Sequence, residues 1–510
     1  MQALGYPLAV LSGVLLTFSF PRFGHPAVAW VALSPLLVAL MHPDGVRPRR
    51  AFGLGLASGA VYFGGTLYWT PDVLRTFGGI SLPLAVAAGS LLVAYLALFP
   101  AFVAVAVARV CGRAGPAGVL AAPVFWVAAE LARRWILGGF PWVLLGSSQA
   151  GVTPIVQTAS LAGVYGLSAL VAFVSSALAL AVAGRGRTRA LAPAAAAILV
   201  GVLAAWGAWR VHDGALVRGG RPLTVALVQG NVLQDEKWDK GRATAILNRY
   251  LTMTREGAAR GASLVVWPES STPFMFEHDA AGRLAITRLV QELGVALLFG
   301  SDQYEAGPPP RFYNSAFLLG PDGQTSGVYR KMHLVPFGEY VPLKRLLFFV
   351  APLVESVSDF SAGEEPVVME LGEHRLSVAI CYEVVYPDLV ASFTRRGSQL
   401  LTTITNDAWY GHSSAPHQHF WQATLRAVEH GRYLVRSANT GISGIVDPYG
   451  RVVVKTPIFE QTVATGEVRY LDGHTVYART GDAFAYACGL ATLLAWWVTR
   501  SRATGPARSR

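Results

Sequence analysis

Three residues that could carry out covalent chemistry follow three separate predicted strands. Glu269 comes after "SLVVWP", Lys331 after "GVYR" and Cys381 after "LSVAI". A rigid sheet aims the side chains at its strand ends toward one place, so functional groups collect there. Taken singly, Glu269 and Lys331 are most simply solvated turn residues, and Cys381 a small buried apolar side chain. Together, the three predict a cysteine nucleophile assisted by a carboxylate and a cation.

The residue types suit acyl transfer through a thioester. A free thiol titrates near pH 8.5, so Cys381 needs a base or a nearby cation. Glu269 could take the thiol proton and later one from an attacking amine, for which its pKa should be raised toward the working pH. Lys331 could hold the oxyanion of the tetrahedral intermediate, which is worth about 2.7–4 kcal/mol in comparable sites. An amine attacks a thioester more readily than an oxygen ester, and this favours a cysteine over a serine.

Short apolar strands and helical stretches alternate around these residues, which predicts an α/β or α+β layered domain. Two stretches are predicted to be helical, "RATAILNRYLTMTREGAARG" and "HFWQATLRAVEHGRYLVRSA". The predicted strands are "LTVALVQ", "ASLVVWPE", "VALLFGS", "NSAFLLG", "GVYRK", "LSVAICYE", "LLTTITND" and "SGIVD".

The chain is too apolar to lie wholly in water. Of its 510 residues, 53% are hydrophobic and 14% are charged, with a mean hydropathy of +0.41, whereas soluble domains carry about 25% charged residues. A membrane crossing needs about 17–25 apolar residues. We predict a bundle of seven spans in residues 1–210, a catalytic domain in residues 211–482, and a last span with a basic tail in residues 483–510. The predicted spans are residues 4–20, 26–42, 52–70, 83–108, 115–136, 161–183, 190–209 and 483–499.

The arginines indicate how these spans are oriented. They concentrate in every second loop and after the last span, and the positive-inside rule places those segments, with both termini, in the cytoplasm. Seven spans then carry residues 211–480 to the opposite side of the membrane. The net charge of +11 comes mostly from such loops rather than from a basic stripe, so no nucleic acid is expected as a partner. The clustered arginines are Arg47, Arg49, Arg50, Arg109, Arg113, Arg185, Arg187, Arg189, Arg500, Arg502, Arg508 and Arg510.

Cysteine usage agrees with a functional role for Cys381. Cys111 and Cys488 fall at or within predicted spans, which leaves Cys381 alone in the extracytoplasmic domain, without a partner for an internal disulfide. A lone thiol in an oxidising compartment is a liability unless it has a use.

The motifs around the three residues resemble those of the nitrilase superfamily, and more narrowly those of the apolipoprotein N-acyltransferase family. The first resemblance rests on "WPES", "YRKMHLVPFGEYVP" and "CYE". The second rests on "QGNVLQDEKW", "FYNSA", "PFGEYVP" and "TNDAWYG", and on "GFPWVLLGSSQ" in the membrane part. It covers essentially the whole chain. It implies a four-layer αββα sandwich on a membrane bundle and a Glu269–Lys331–Cys381 triad, without cofactor or metal.

The resemblance also implies the substrates and the place of the reaction. The acyl donor would be a phospholipid such as phosphatidylethanolamine, and the acceptor the N-terminal amine of a diacylglyceryl-cysteine lipoprotein. The reaction would be ping-pong, on the periplasmic side of a bacterial inner membrane. Supporting roles are implied for Glu339 and Glu383, which could orient Lys331 or crowd the charge of Glu269; the alternative for both is a solvated loop acid. Candidate pocket walls, with plain core packing as the alternative, are Trp238, Asn314, Tyr382 and Trp409.

Two other functions remain open on the sequence. A membrane-anchored amidase or hydrolase of the nitrilase type would share the triad and release its acyl group to water. A transporter with an outer binding domain would have broken or charged helices at the membrane midplane. The predicted spans are mostly uninterrupted and uncharged, which disfavours the transporter.

Two further segments carry predictions of their own. His417 and His419 in "APHQHF" lack a third ligand at helical spacing, so we expect solvated or substrate-facing histidines rather than a metal site. Residues 342–354, "PLKRLLFFVAPLV", place a basic pair before an apolar row, which is typical of a segment at a membrane interface. They predict a lid that gates lipid access to Cys381, with a buried core helix as the alternative.

Overall fold

In a computed structural model, the chain folds into two compact units. The structure describes residues 4–42, 45–234, 236, 237, 239, 241–336, 338–340 and 360–501. The helical unit comprises Met1–Arg75, Ser81–His212 and Thr480–Arg510. The sheet unit comprises Thr76–Ile80 and Asp213–Arg479.

The helical unit is built from apolar helices of very different lengths. The predicted second span is divided in two, because Pro35 lies at the start of the second half and a proline cannot continue a preceding helix. The C-terminal helix Ala483–Ser501 belongs to this unit as well. The other helices are α1 (Gly5–Thr17), α2 (Pro26–Ala32), α3 (Ser34–Leu40), α4 (Pro48–Thr66), α5 (Thr70–Gly78, whose last residues join the sheet unit), α6 (Leu82–Ala114), α7 (Ala122–Trp135), α8 (Thr153–Val156), α9 (Ala159–Ala183) and α10 (Thr188–Asp213).

Among the residues that the structure describes, three helical segments are long and apolar enough to cross a membrane, namely Leu82–Gly138, Ala159–Ala183 and Thr188–Arg218. Gly5–Thr17, Pro26–Leu40 and Ala483–Thr499 are apolar but shorter. The predicted number of eight spans is therefore not confirmed and stays a prediction.

Helices α4 and α6 approach each other closely at two glycines. A Cβ atom on Gly55 would lie 2.4 Å from the carbonyl oxygen of Pro100, and one on Gly59 would lie 2.8 Å from the Cα atom of Ala97. Only glycine leaves room for the opposing backbone at this distance.

The sheet unit contains two six-stranded sheets. The first has the order β12-β1-β2-β3-β4-β5 and the second β11-β10-β9-β8-β7-β6. In each, three strands run parallel and the flanking strands pair antiparallel. The strands are β1 (Arg221–Gln229), β2 (Leu264–Val266), β3 (Ala296–Glu305), β4 (Arg311–Leu319), β5 (Thr325–Arg330), β6 (Val368–Leu371), β7 (His374–Ile380), β8 (Leu400–Thr405), β9 (Leu434–Ala438), β10 (Gly444–Val446), β11 (Val452–Lys455) and β12 (Thr462–Tyr470).

Both faces of each sheet are covered, which explains why the strands read as continuous apolar runs. On β1, Ala226 and Val228 join a core with Ile246 and Tyr250 of a helix. The opposite face of β1 is buried too, and β1 contacts β9 of the second sheet. The predicted sandwich of two sheets between helices is confirmed. Its helices are α11 (Ala215–Arg218), α12 (Ala243–Ala259), α13 (Ala280–Leu293), α14 (Pro387–Arg395), α15 (Ala415–His430) and α16 (Val476–Thr480).

One predicted helix is wrong over its last residues. The stretch predicted to be helical through residue 438 ends at His430 in α15, and Leu434–Ala438 forms strand β9 in the middle of the second sheet. Gly431 has φ of +60°, a left-handed conformation that ends the helix. The structure also adds strands β6, β11 and β12 to those predicted.

Candidate active site

The three predicted residues follow strands of both sheets. Glu269 lies shortly after β2 and Lys331 directly after β5 in the first sheet, while Cys381 follows β7 in the second. All three are buried, with exposed fractions of 6%, 1% and 6%, respectively. Cys381 begins the short 3₁₀ helix Cys381–Val385 and has φ of +54°, which is unusual for a residue with a side chain. Such strained backbone persists only where its surroundings hold it.

The carboxylate of Glu269 is bound from both sheets. Its Oε1 accepts hydrogen bonds from Asn314 Nδ2 at 2.7 Å and from Lys331 Nζ at 3.2 Å. Its Oε2 accepts one from the backbone N–H of Asn406 at 2.8 Å, at the end of β8. The glutamate is therefore fixed in place before any substrate binds.

Glu339 contacts the same cluster directly. Its Oε1 accepts hydrogen bonds from Lys331 Nζ at 2.8 Å and from Asn314 Nδ2 at 2.9 Å. Its Oε2 accepts the backbone N–H of Val335 at 2.8 Å. Lys331 thus lies between two carboxylates, and the Asn314 amide donates to both.

Glu383 is fully buried and bonds to backbone on either side of the site. Its carboxylate accepts hydrogen bonds from Tyr329 Oη at 2.7 Å and from the N–H groups of Met332, His333 and Ile380 at 2.6, 3.1 and 2.7 Å. The first three donors flank Lys331 in sequence and the last precedes Cys381. Glu383 therefore ties the segment that carries Lys331 to the segment that carries Cys381.

The charges fix the resting protonation states. Burial opposes ionisation of Glu269, but Lys331, the Asn314 amide and Lys237 outweigh it and hold the pKa of this carboxyl below its usual value. Burial likewise opposes the charge of Lys331, but Glu269 and Glu339 keep its pKa well above the usual value. Burial, and then the charge of Glu269, raise the pKa of the Cys381 thiol against the effect of Lys331. At rest the site holds an ionised carboxylate, an ammonium and a protonated thiol, so the pKa expected to be raised for Glu269 is lowered instead.

A second buried cation, not singled out by the sequence analysis, lies beside Glu269. Lys237 is 5% exposed and its Nζ donates to the backbone carbonyl oxygen of Glu269 at 3.3 Å. Burial lowers its pKa, while Glu269, Asp302 and Cys381 oppose that shift. Burial raises the pKa of Asp302 to about 6, and Ser270 Oγ donates to this carboxylate at 3.1 Å. The only signal in the sequence is that Lys237 falls within "QGNVLQDEKW".

The candidate pocket walls have different environments. Asn314 bonds to the two carboxylates, and Tyr382 is buried with its ring centroid 5.1 Å from that of Tyr386. Trp409 is half-buried and meets the Phe77 ring edge-on, with centroids 4.7 Å apart. Trp238 and the predicted lid at residues 342–354 lie outside the described residues.

The expectation for His419 is wrong. This histidine was expected to be solvated or to face substrate, but it is fully buried, and its Nε2 lies 3.1 Å from the carbonyl oxygen of Cys381. His417, two residues earlier on α15, is half-buried.

Comparison with known proteins gives matches to both parts of the chain. Residues 224–472 match the carbon-nitrogen hydrolase family, and residues 12–177 match the apolipoprotein N-acyltransferase N-terminal domain. An apolipoprotein N-acyltransferase from Geobacter metallireducens is 42% identical over 490 residues, which cover 95% of this chain and 93% of the relative. One from Methylococcus capsulatus is 36% identical over 480 residues, with coverage of 93% and 92%. Among solved structures, an amidase of the nitrilase superfamily from Nesterenkonia AN1 is 20% identical with a TM-score of 0.40, covering 52% of this chain and 96% of the amidase.

Proposed function

We propose, from the premise that this chain belongs to the apolipoprotein N-acyltransferase family, that it moves a fatty acyl chain from a phospholipid to a lipoprotein. The acceptor is the N-terminal amine of a diacylglyceryl-cysteine, and Cys381 carries the acyl group between the two substrates. The observation that supports this most is the buried cluster of Glu269, Lys331, Glu339 and Asn314, in which the charges of Glu269 and Lys331 act on the Cys381 thiol.

The first half-reaction forms the acyl-enzyme. Glu269 is ionised and so can accept the thiol proton as Cys381 Sγ attacks the ester carbonyl carbon of the phospholipid. Lys331 is protonated and can stabilise the negative charge that develops on the carbonyl oxygen. When the tetrahedral intermediate collapses, the ester C–O bond breaks and the leaving lysophospholipid oxygen takes the proton from Glu269. The products are a thioester on Cys381 and a lysophospholipid.

The second half-reaction transfers the acyl group to nitrogen. The free amine of the acceptor attacks the thioester carbonyl carbon, and Glu269 accepts a proton from that nitrogen. The C–S bond then breaks, the amide forms, and the proton returns to Cys381 Sγ. Because Glu339 and Asn314 hold Lys331 and Glu269 in fixed positions, the same groups serve both half-reactions without rearrangement.

The proposal includes the arrangement in the membrane. Residues 1–210 form a bundle of seven spans, residues 211–482 the periplasmic catalytic domain, and residues 483–510 the last span and a cytoplasmic tail. Both substrates are anchored in lipid. A catalytic domain with membrane spans before and after it in the chain is kept at the membrane surface, where these substrates are.

The alternative, a membrane-anchored hydrolase, differs in the acyl acceptor. The full chain in detergent micelles is given a phospholipid with a labelled acyl chain and a diacylglyceryl-cysteine peptide with a free amine. A matched peptide with an acetylated amine is the control. We expect the label to pass to the free-amine peptide, with little fatty acid released and none transferred to the control. Release of free fatty acid at equal rates with both peptides would identify a hydrolase and reject the proposal.

A further inference from the structure

Behind Cys381 lies a buried chain of three charged or polar side chains. Arg436 Nη2 donates to Asp407 Oδ2 at 2.8 Å, and Asp407 Oδ1 lies 3.0 Å from His419 Nδ1. His419 Nε2 lies 3.1 Å from the carbonyl oxygen of Cys381. Arg436, Asp407 and His419 are each 0% exposed. Burying three such groups is costly unless each is bound, so the chain of contacts accounts for their presence.

The contact with Cys381 fixes which ring nitrogen of His419 carries a hydrogen. A carbonyl oxygen only accepts hydrogen bonds, so Nε2 must be the donor. Burial, and then the charge of Arg436, lower the pKa of His419, while the Asp407 carboxylate opposes that shift. Nδ1 lies 3.0 Å from both Asp407 Oδ1 and Arg436 Nη2, so this nitrogen is held between the carboxylate and the guanidinium. Since both nitrogens are engaged, His419 is not placed to act as a base on the thiol.

The hydrogen bond to this carbonyl also determines where a neighbouring N–H points. The carbonyl of Cys381 and the N–H of Tyr382 belong to one planar trans peptide, in which the two bonds point in opposite directions. Holding the oxygen therefore aims the Tyr382 N–H. A hydrogen bond at the oxygen also polarises the peptide, which strengthens its N–H as a donor by about 10–30%.

The backbone conformation of Cys381 is strained and depends on contacts that stabilise it. A φ of +54° is sparsely populated for a residue with a Cβ atom, and strain of this kind persists only where surrounding contacts maintain it. The 3₁₀ helix that begins at Cys381 has five residues, and Glu383 within it bonds the N–H of Ile380 on the other side of Cys381. The buried side chain of His419 supplies a fixed contact at the strained residue itself.

We propose that His419 is a positioning residue that aims the Tyr382 N–H at the oxyanion, as a second donor beside Lys331, and that Asp407 and Arg436 hold His419 in place. The inference rests on the proposed function, in which Cys381 attacks an ester carbonyl. It assigns His419 no contact with substrate and no part in proton transfer.

Two reactions of the same thiol separate this role from a general effect on Cys381. Acylation by a phospholipid passes through a tetrahedral oxyanion. Alkylation by iodoacetamide does not, because Sγ displaces iodide from a saturated carbon and the proton goes to a base. A residue that aims an oxyanion donor matters for the first reaction and not for the second.

The matched variants are His419→Asn and His419→Gln in the full chain. A glutamine amide nitrogen reaches about the position of Nε2, whereas an asparagine amide ends near Nδ1, and both are polar and smaller than or similar to the ring. We expect acylation of Cys381 to fall about 100-fold in His419→Asn, the loss typical of removing one oxyanion donor. In His419→Gln it should stay within about tenfold of the wild-type rate. Alkylation rates and melting temperatures should change little in either variant.

Equal acylation rates in the two variants would overturn the role of His419, and so would a parallel loss of alkylation and acylation. These outcomes differ from failure of the proposed function. If the wild-type chain carries no acyl group on Cys381, the proposed function fails and this inference fails with it. If the wild type is acylated and the two variants match, only the role of His419 is rejected.

Discussion

The carboxylate of Glu383 accepts a 2.6 Å hydrogen bond from the backbone N–H of Met332, the residue after Lys331. The same side chain accepts the N–H of Ile380, the residue before Cys381. One buried glutamate thus sets the spacing between the proposed oxyanion-binding lysine and the proposed nucleophile. It does so through backbone groups, so it need not touch substrate.

The change Glu383→Gln tests this spacing. Burial raises the pKa of Glu383 to about 7, although hydrogen bonds from Ile380, Tyr329 and His333 and the charge of Lys331 favour the carboxylate. Acylation and melting are therefore measured above that pH. An amide would turn an NH₂ group toward N–H donors and leave one unsatisfied, at a cost of about 1–3 kcal/mol in the free energy of unfolding. We expect a lower melting temperature and slower acylation. Glu370→Gln, at an exposed position on β6, is the control; if the two variants behave alike, Glu383 does not hold the two segments together.

The change Asn314→Leu tests how the charge of Glu269 is maintained. The Asn314 amide is one of the groups that keep the pKa of Glu269 below its usual value, so its removal should raise that pKa. The carboxylate then protonates at higher pH, and the acidic limb of the acylation rate should shift to higher pH. At neutral pH we expect a loss of about tenfold, since a hydrogen bond to a charged group is worth about 1.5–3 kcal/mol.

The pH profile of single-turnover acylation measures this shift. Gln324→Leu removes an exposed amide just before β5 and should leave the profile unchanged. An unshifted acidic limb in Asn314→Leu would mean that Glu269 is not the group whose ionisation limits acylation.

Reporter fusions test the predicted orientation. Alkaline phosphatase folds to its active form in the periplasm. A fusion after residue 215 should therefore be active, and one after residue 187, in an arginine-rich loop, should be inactive. The reverse pattern would place the catalytic domain in the cytoplasm and remove it from the proposed substrates.

The site residues that the sequence predicts are those marked by a pattern in their immediate neighbourhood. Glu269, Lys331 and Cys381 each follow an apolar strand, and that pattern lies within a few residues of each group. The family motifs extended this prediction to Glu339 and Asn314, which lie within them. In the structure, Glu339 accepts a hydrogen bond from Lys331 and Asn314 donates one to Glu269. The lowered pKa of Glu269 could not be predicted, since it depends on groups that only the folded chain assembles.

The features that the sequence does not predict, the burial of His419 and strand β9, depend on contacts between residues distant in sequence. His419 reads as an exposed polar residue on a helix. In the structure it is buried against Asp407, which lies just after β8, and Arg436, which lies on the neighbouring strand β9. The sequence pattern extends the preceding helix over strand β9, because a single glycine, Gly431, is the only local sign of the left-handed turn that ends the helix. The predicted lid falls on residues that the structure does not describe, so it stays a prediction.

The central claim is that Cys381 carries the acyl group, and the intact mass of the purified full chain tests it most directly. After incubation with a phospholipid and no acceptor, the mass should rise by one acyl group, mapped to the peptide that contains Cys381, and should return to its original value when a free-amine acceptor is added. Cys488→Ser, at another buried free cysteine, should keep the adduct, and Cys381→Ser should lose it. An adduct on any other residue, or one that persists in Cys381→Ser, would contradict the account.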